Sequence, residues 1–170
     1  MTFFSLMRLS IELKNIHFIS ALAFLTILLA FNQSWTFLGD GDSIVYATVS
    51  KTIAEKGNWL TPVYNFRLFF DHPPLLLWIN ALLFRVIGFE EWVAKLFPAI
   101  TDLGAVLMVF YIGNRYANRF TGFFAGISLL FSYDFIKLLN KGRMEMPLVF
   151  LYICGLYGFL RGVEGDKKGF

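Results

Sequence analysis

Phe69-Phe70-Asp71-His72-Pro73-Pro74-Leu75 is the stretch whose reading decides the fold. An acid and a titratable imidazole stand directly before two prolines, and a strongly apolar run follows. Each proline fixes φ, lacks an N–H and disfavours helix in the residue before it. Asp71 and His72 are therefore expected on a stiff, extended segment leading into a helix that begins near Leu75. Such a segment fixes charged side chains at a membrane surface. The plain alternative is a loop ended by a proline stop.

The surroundings are membrane-like. The 170 residues are 57% hydrophobic and only 16% charged, against about 25% charged in soluble domains. These values place the chain among integral membrane proteins. The net charge of +3 carries no argument for nucleic acid, because orientation alone puts basic residues at helix ends. The single cysteine, Cys154, lies in an apolar run and reads as a packing residue.

Upstream of the proline pair, Asn15 to Gly39 runs 25 residues without a formal charge, long enough to span with some tilt. With Arg8 and Lys14 before it, the run imitates a signal peptide, but it is too long and lacks a small-residue cleavage site. It reads as an uncleaved first helix with a cytoplasmic N-terminus. Gly39-Asp40-Gly41-Asp42-Ser43 is a turn or helix start, with Asp42 as the N-cap. Ile44 to Glu55 has roughly helical apolar spacing, which suggests a short amphipathic helix on the membrane surface, ended by Gly57-Asn58. Trp59 to Asn65 reads as irregular, with interfacial aromatics.

Downstream, Leu75 to Gly88 is apolar apart from Asn80 and Arg85. As a helix it would be about 21 Å long, short of a hydrocarbon core about 30 Å thick. It reads as a second surface helix. Trp92 to Gly113, Phe120 to Asn140 and Met146 to Leu160 are the later spans. Asp102 lies inside one of them, where an acid is costly, so it should face the bundle and find a partner as a structural contact.

Charge decides the topology. If 75–88 lies on the surface, there are four spans and both termini are cytoplasmic. Arg8, Lys14, Arg115, Arg119, Arg161, Lys167 and Lys168 then share the cytoplasmic side, as the positive-inside rule favours. Asp42, Asp71, His72, Arg143 and Glu145 then share the extracytoplasmic face. A fifth span would separate Arg143 and Glu145 from the rest. The expected fold is an all-α integral membrane protein with one membrane domain. Its transmembrane helices are 16–38, 92–113, 119–140 and 146–161. Two juxtamembrane helices, 43–56 and 75–88, lie in an extracytoplasmic loop, 39–91. No internal repeat, low-complexity tract or linker marks a second domain.

No phosphate-cradling glycine loop, CxxC pair or HExxH spacing is present. What remains is a set of acids and bases at one membrane face. Carboxylates there can act as general base or steady a developing positive charge. His72 can bind an anion or shuttle a proton, and Arg143 suits a phosphate. The alternative for each is an ordinary solvated loop charge.

Taken together, these residues resemble a known family. Asp42-Ser43-Ile44-Val45-Tyr46-Ala47, Gly57-Asn58-Trp59-Leu60-Thr61-Pro62, Asn65, Phe69 to Trp78 and Gly88 are similar to the first extracytoplasmic loop of family 39 glycosyltransferases. These are GT-C-type enzymes that include protein O-mannosyltransferases and the aminoarabinose transferase acting on lipid A. Gly142-Arg143-Met144-Glu145-Met146-Pro147-Leu148 resembles the segment opening their fourth span. The resemblance lies in the combined order and spacing, not in any single piece.

It implies that Asp42 and Glu145 are catalytic and that Asp71, His72 and Arg143 bind substrate. Three positions depart from the family pattern. The acid-acid pair at the loop start is Asp42-Ser43, the residue before the prolines is His72 instead of lysine, and the later acid is Glu145 instead of aspartate.

The implied function is transfer of a sugar from a polyprenyl-phosphate donor to a protein or glycolipid acceptor outside the cytoplasm, at the cell membrane. Asp42 would deprotonate or orient the acceptor hydroxyl. Membrane lipid and the lipid-linked sugar are the partners implied. No cofactor is implied, and a divalent metal is left open. Asp42 and Glu145 are expected to approach one another across the outer face. The resemblance covers nearly all of this chain but only the N-terminal part of a family member, so a fragment, inactive alone, is expected. The alternative reading is a non-catalytic membrane scaffold or remnant; a transporter is third, without a visible broken-helix repeat.

Overall fold

A computed structural model of the chain describes residues 3–34 and 41–165, with side chains for 15–31 and 41–165. The side chains of Arg8 and Lys14, the Gly39-Asp40 turn, and Lys167 and Lys168 lie outside the described residues. The elements are α1 (Phe3–Ser34), α2 (Gly41–Lys56), a hairpin of β1 (Val63–Tyr64) and β2 (Arg67–Leu68), α3 (Leu75–Val86), α4 (Glu91–Tyr116), α5 (Arg119–Leu130), α6 (Tyr133–Leu138) and α7 (Glu145–Val163). Two of them, α4 and α7, are long and apolar enough to cross a membrane; α3, α5 and the apolar part of α1 are shorter.

The chain divides into two compact units. One comprises residues 30–102 and 138–149 and carries all five candidate site residues. Its core is the seam between α2 and α3. Tyr46, Val49, Ile53 and Ala54 recur at helical spacing on one face of α2, and Leu76, Leu77, Ala81 and Phe84 do so on α3. Phe69, Val93, Ala94 and Met144 close the cluster.

α2 ends on Gly57, whose φ of +74° is the left-handed conformation glycine adopts most cheaply at a helix C-terminus. α3 then secures the following turn. The Trp78 indole N–H donates to the Trp59 carbonyl at 2.7 Å, and Arg85 Nε donates to the Ala54 carbonyl at 2.9 Å.

Asn80 is polar yet fully buried, and Pro98 explains it. A proline inside α4 cannot donate to the carbonyl four residues earlier, that of Ala94. The Asn80 side-chain amide donates to that carbonyl instead, at 3.2 Å. A backbone acceptor left open by a proline is thus met from the neighbouring helix.

Four sequence expectations need correction. Residues 63–68 form a hairpin, not irregular chain, so the fold is not strictly all-α. Its two-residue loop, Asn65-Phe66, has φ of 48° and 64°, the positive values a tight hairpin turn demands. Asp42 lies within the first turn of α2 and is not its N-cap. The Asp71-His72 segment bends instead of running extended, because His72 packs against rings on α2 and beside the hairpin. Finally, 119–140 is not one helix: it breaks at Phe131-Ser132 into α5 and α6, and the Ser132 carbonyl accepts the first bond of α6, from the Ile136 N–H.

The other unit holds residues up to 29, 103–137 and 150 onward. Here α4 and α5 pass closely: a Cβ added to Gly113 would sit 2.6 Å from the Gly122 Cα. Glycine at both positions lets the backbones meet, as small residues do between membrane helices. Phe24, Phe124 and Phe159 face outward, an arrangement that suits a lipid-facing surface.

Candidate functional site

Two helix N-termini carry the two acids. Asp42 is in the first turn of α2 and Glu145 opens α7, where a carboxylate suits the positive end of the helix dipole. Between them stands Arg143, two residues before Glu145. Its Nη2 donates to Asp42 Oδ2 at 2.7 Å and lies 2.5 Å from Glu145 Oε1. The loop that presents Arg143 is tied to α2 one residue from Asp42, because the Ser43 hydroxyl donates to the Lys141 carbonyl at 2.6 Å. Gly142, at φ +71°, turns the chain between these two attachments.

Asp42 belongs to a second group as well. It lines an open cleft of about 670 Å³ together with Tyr46, Tyr64, Arg67, Asp71 and His72. The volume lies within the range of small-ligand sites, about 300–1,000 Å³. His72 stands edge-on to Tyr46, with centroids 5.2 Å apart, and tilted against Phe69 at 5.7 Å. The structure therefore places Asp42, Asp71 and His72 along one cleft, and Arg143 and Glu145 beside it through Asp42.

Two residues at this site were not singled out from the sequence. Tyr46 lies one helical turn after Asp42 and is buried. Burial chiefly, then the charges of Glu145 and Asp42, push its phenol above the ordinary value of 10.0, against the opposing pull of Arg143. The group is a neutral hydroxyl at the floor of an acidic cluster. Its spacing of four from Asp42 was the available signal. Arg67 is the cation on the hairpin that lines the same cleft; without the hairpin, nothing in its sequence position points toward Asp42. Among the described residues, no three His, Cys, Asp or Glu side chains converge as a metal site.

Asp102 is fully buried, and its Oδ2 accepts the Asn140 backbone N–H at 2.9 Å.

Residues 71–170 match the family model described as dolichyl-phosphate-mannose-protein mannosyltransferase. The match includes Asp71, His72, Arg143 and Glu145 and begins after Asp42. A curated protein of Aquifex aeolicus, itself uncharacterised, is 28% identical over 74% of this chain and 30% of its own length. The undecaprenyl phosphate-alpha-4-amino-4-deoxy-L-arabinose arabinosyl transferase of Shewanella sediminis is 30% identical over 46% of this chain and 14% of its own length. Among solved structures, that of ArnT from Cupriavidus metallidurans bound to undecaprenyl phosphate aligns with a TM-score of 0.74 at 22% identity, covering 86% of this chain and 27% of that one. This likeness is one of fold, a helical GT-C-type membrane fold. The chain spans less than a third of the length of the curated relatives it matches.

Proposed function

The chain belongs to the dolichyl-phosphate-mannose-protein mannosyltransferase family, and from that premise we propose that its acid–guanidinium cluster serves transfer of a sugar from a polyprenyl-phosphate carrier to an acceptor hydroxyl. The observation that carries the reading is the pair of carboxylates on one guanidinium, opening onto a cleft with a second arginine.

Asp42 accepts the proton of the acceptor hydroxyl as its oxygen bonds to the anomeric carbon of the sugar. The bond from that carbon to the carrier phosphate breaks, and the phosphate leaves with the electron pair. Arg143 and Arg67 offer planar forks that fit the departing phosphate, with His72 beside them. Glu145 steadies the positive charge that develops at the sugar, as carboxylates do in glycosyl transfer generally. Tyr46 supplies a neutral hydroxyl that can hydrogen-bond a sugar oxygen. The acceptor is a protein or a glycolipid.

The same reading sets the topology. The chain crosses the cell membrane four times, through α1, α4, the α5–α6 pair and α7, with α2 and α3 on the extracytoplasmic surface and both termini in the cytoplasm. The outward Leu82 and Val86 of α3 support this placement, since a surface helix sinks apolar side chains into the lipid boundary. Asp42 is more than half exposed, whereas glycosyl transfer needs a site closed to water. The 170 residues alone are therefore proposed to be inactive.

Transfer of radiolabelled sugar from polyprenyl phosphate tests the reading, in membranes containing the protein that carries this sequence. Asp42→Asn keeps the shape and loses the base, so turnover should fall about 10²–10⁴-fold with unchanged insertion. Near-normal turnover in that variant refutes the role of Asp42. Absence of transfer by the unaltered protein leaves the scaffold reading standing.

A further inference from the structure

Arg143 does not stand on a helix. It lies in the six-residue connection 139–144 between α6 and α7, whose stretch Asn140-Lys141-Gly142-Arg143, the strap, is fastened along its length. Asn140 has φ +54°, a left-handed conformation that asparagine adopts more readily than most non-glycine residues. Two bonds hold it in place. Its backbone N–H donates to Asp102 Oδ2 at 2.9 Å, and its side-chain amide donates to the Ala30 carbonyl at 3.1 Å. Next along the strap, the Lys141 carbonyl takes the Ser43 hydroxyl. Arg143 then reaches Asp42 and Glu145.

Among the described residues, Asp102 bonds to the strap but to none of the candidate site residues. It is completely buried, and its second oxygen, Oδ1, meets no hydrogen-bond partner among the described residues. Burying an acid for one accepted bond is costly. The bond falls on the left-handed residue that opens the strap, three positions before Arg143.

We propose that Asp102 is a positioning residue for the transfer site: by holding Asn140 left-handed, it aims the strap so that the Arg143 guanidinium lies between Asp42 and Glu145. The catalytic consequence rests on the glycosyl-transfer reading above; the mechanical one does not. What the strap needs from Asp102 is an acceptor oxygen, not a charge. Asparagine at 102 keeps an acceptor at the same reach, whereas leucine fills the volume and accepts nothing.

The experiment compares Asp102→Asn and Asp102→Leu in the protein that carries this sequence, purified in detergent. Hydrogen–deuterium exchange over 139–143 reports the strap directly. Leucine should raise exchange there about tenfold or more by freeing the Asn140 amide, while asparagine should stay near the unaltered protein. In the transfer assay, leucine should lower kcat by about 10²-fold, the scale of a small misplacement from afar, with donor KM nearly unchanged. Asparagine should restore most of it. Unchanged exchange in the leucine variant, or asparagine as damaging as leucine, overturns the proposal.

If the unaltered protein transfers no sugar, the function reading fails while exchange still decides the positioning role. If the leucine variant does not accumulate, Asp102→Ala removes the acceptor without adding bulk. It should show the same raised exchange over 139–143 and the same kcat-without-KM split, and unchanged exchange in the alanine variant overturns the proposal.

Discussion

Arg143 Nη2 lies within hydrogen-bond distance of both Asp42 and Glu145, so two acids from the first turns of different helices meet on one nitrogen. Removing that nitrogen leaves two carboxylates facing one another. All three side chains are partly exposed, and exposed ion pairs are worth about 0–1 kcal/mol. Arg143→Ala should therefore shift unfolding in detergent only slightly. Transfer should suffer far more, about 10²–10³-fold in kcat, the usual cost of deleting a donor aimed at developing charge. Arg143→Lys keeps the charge but not the planar fork. It should unfold like the unaltered protein and still lose most activity; full activity with lysine would show that a point charge suffices.

Tyr46 titrates above the ordinary 10.0 because burial, and then the two acids, penalise the phenolate. In the unfolded chain the phenol ionises at its usual value. The stability it lends is thus complete below pH 10.0 and is lost as pH rises from there through the higher folded value. Unfolding midpoints measured in detergent across this alkaline window should fall with pH, and Tyr46→Phe should flatten the fall. Equal slopes in the two proteins would remove Tyr46 as its source.

Much of this was legible in residue order, and the limits have physical causes. Apolar runs and proline chemistry mark α2, α3, α4 and α7, because a helix must bury or immerse a continuous face. The hairpin was hidden since each strand has two residues, too few for alternation to register, and Asn65-Phe66 lacks the glycine that usually announces such a turn. The break at Phe131-Ser132 left no trace because both sides of it are apolar, and hydropathy does not sense an interruption of helical hydrogen bonding. Arg143, Asp42 and Glu145 could be assigned to one face by charge bookkeeping. Their sharing of a single nitrogen depends on the strap from Asn140, whose left-handed residue is set by Asp102, and no local pattern encodes that bond.

The four-span arrangement predicts where the α4–α5 turn lies. Asn118 caps α5 by accepting the Thr121 N–H at 3.0 Å, so a reporter cysteine there would remove a cap worth about 1 kcal/mol. Ala117 is exposed, one residue earlier, and makes no side-chain bond. With Cys154 replaced by alanine, Ala117→Cys should resist an impermeant thiol reagent added outside intact cells and react once the membrane is opened. Labelling in intact cells would put Arg115 and Arg119 outside and sink the arrangement.

The Asn80–Pro98 compensation yields a thermodynamic cycle. Asn80→Leu removes the donor that meets the Ala94 carbonyl and leaves a buried acceptor open, at a cost of about 1–3 kcal/mol. Pro98→Ala restores a backbone N–H that can reach the same carbonyl from within α4. In that background the Ala94 oxygen is met without Asn80, so Asn80→Leu should cost clearly less than it does alone. Denaturant unfolding of the four proteins in detergent gives the coupling directly. An interaction energy near zero would mean that Asn80 is buried for some reason other than the proline. A coupling on the order of 1 kcal/mol would identify Asn80, a polar residue in an apolar run, as the partner that lets α4 carry a proline and remain helical.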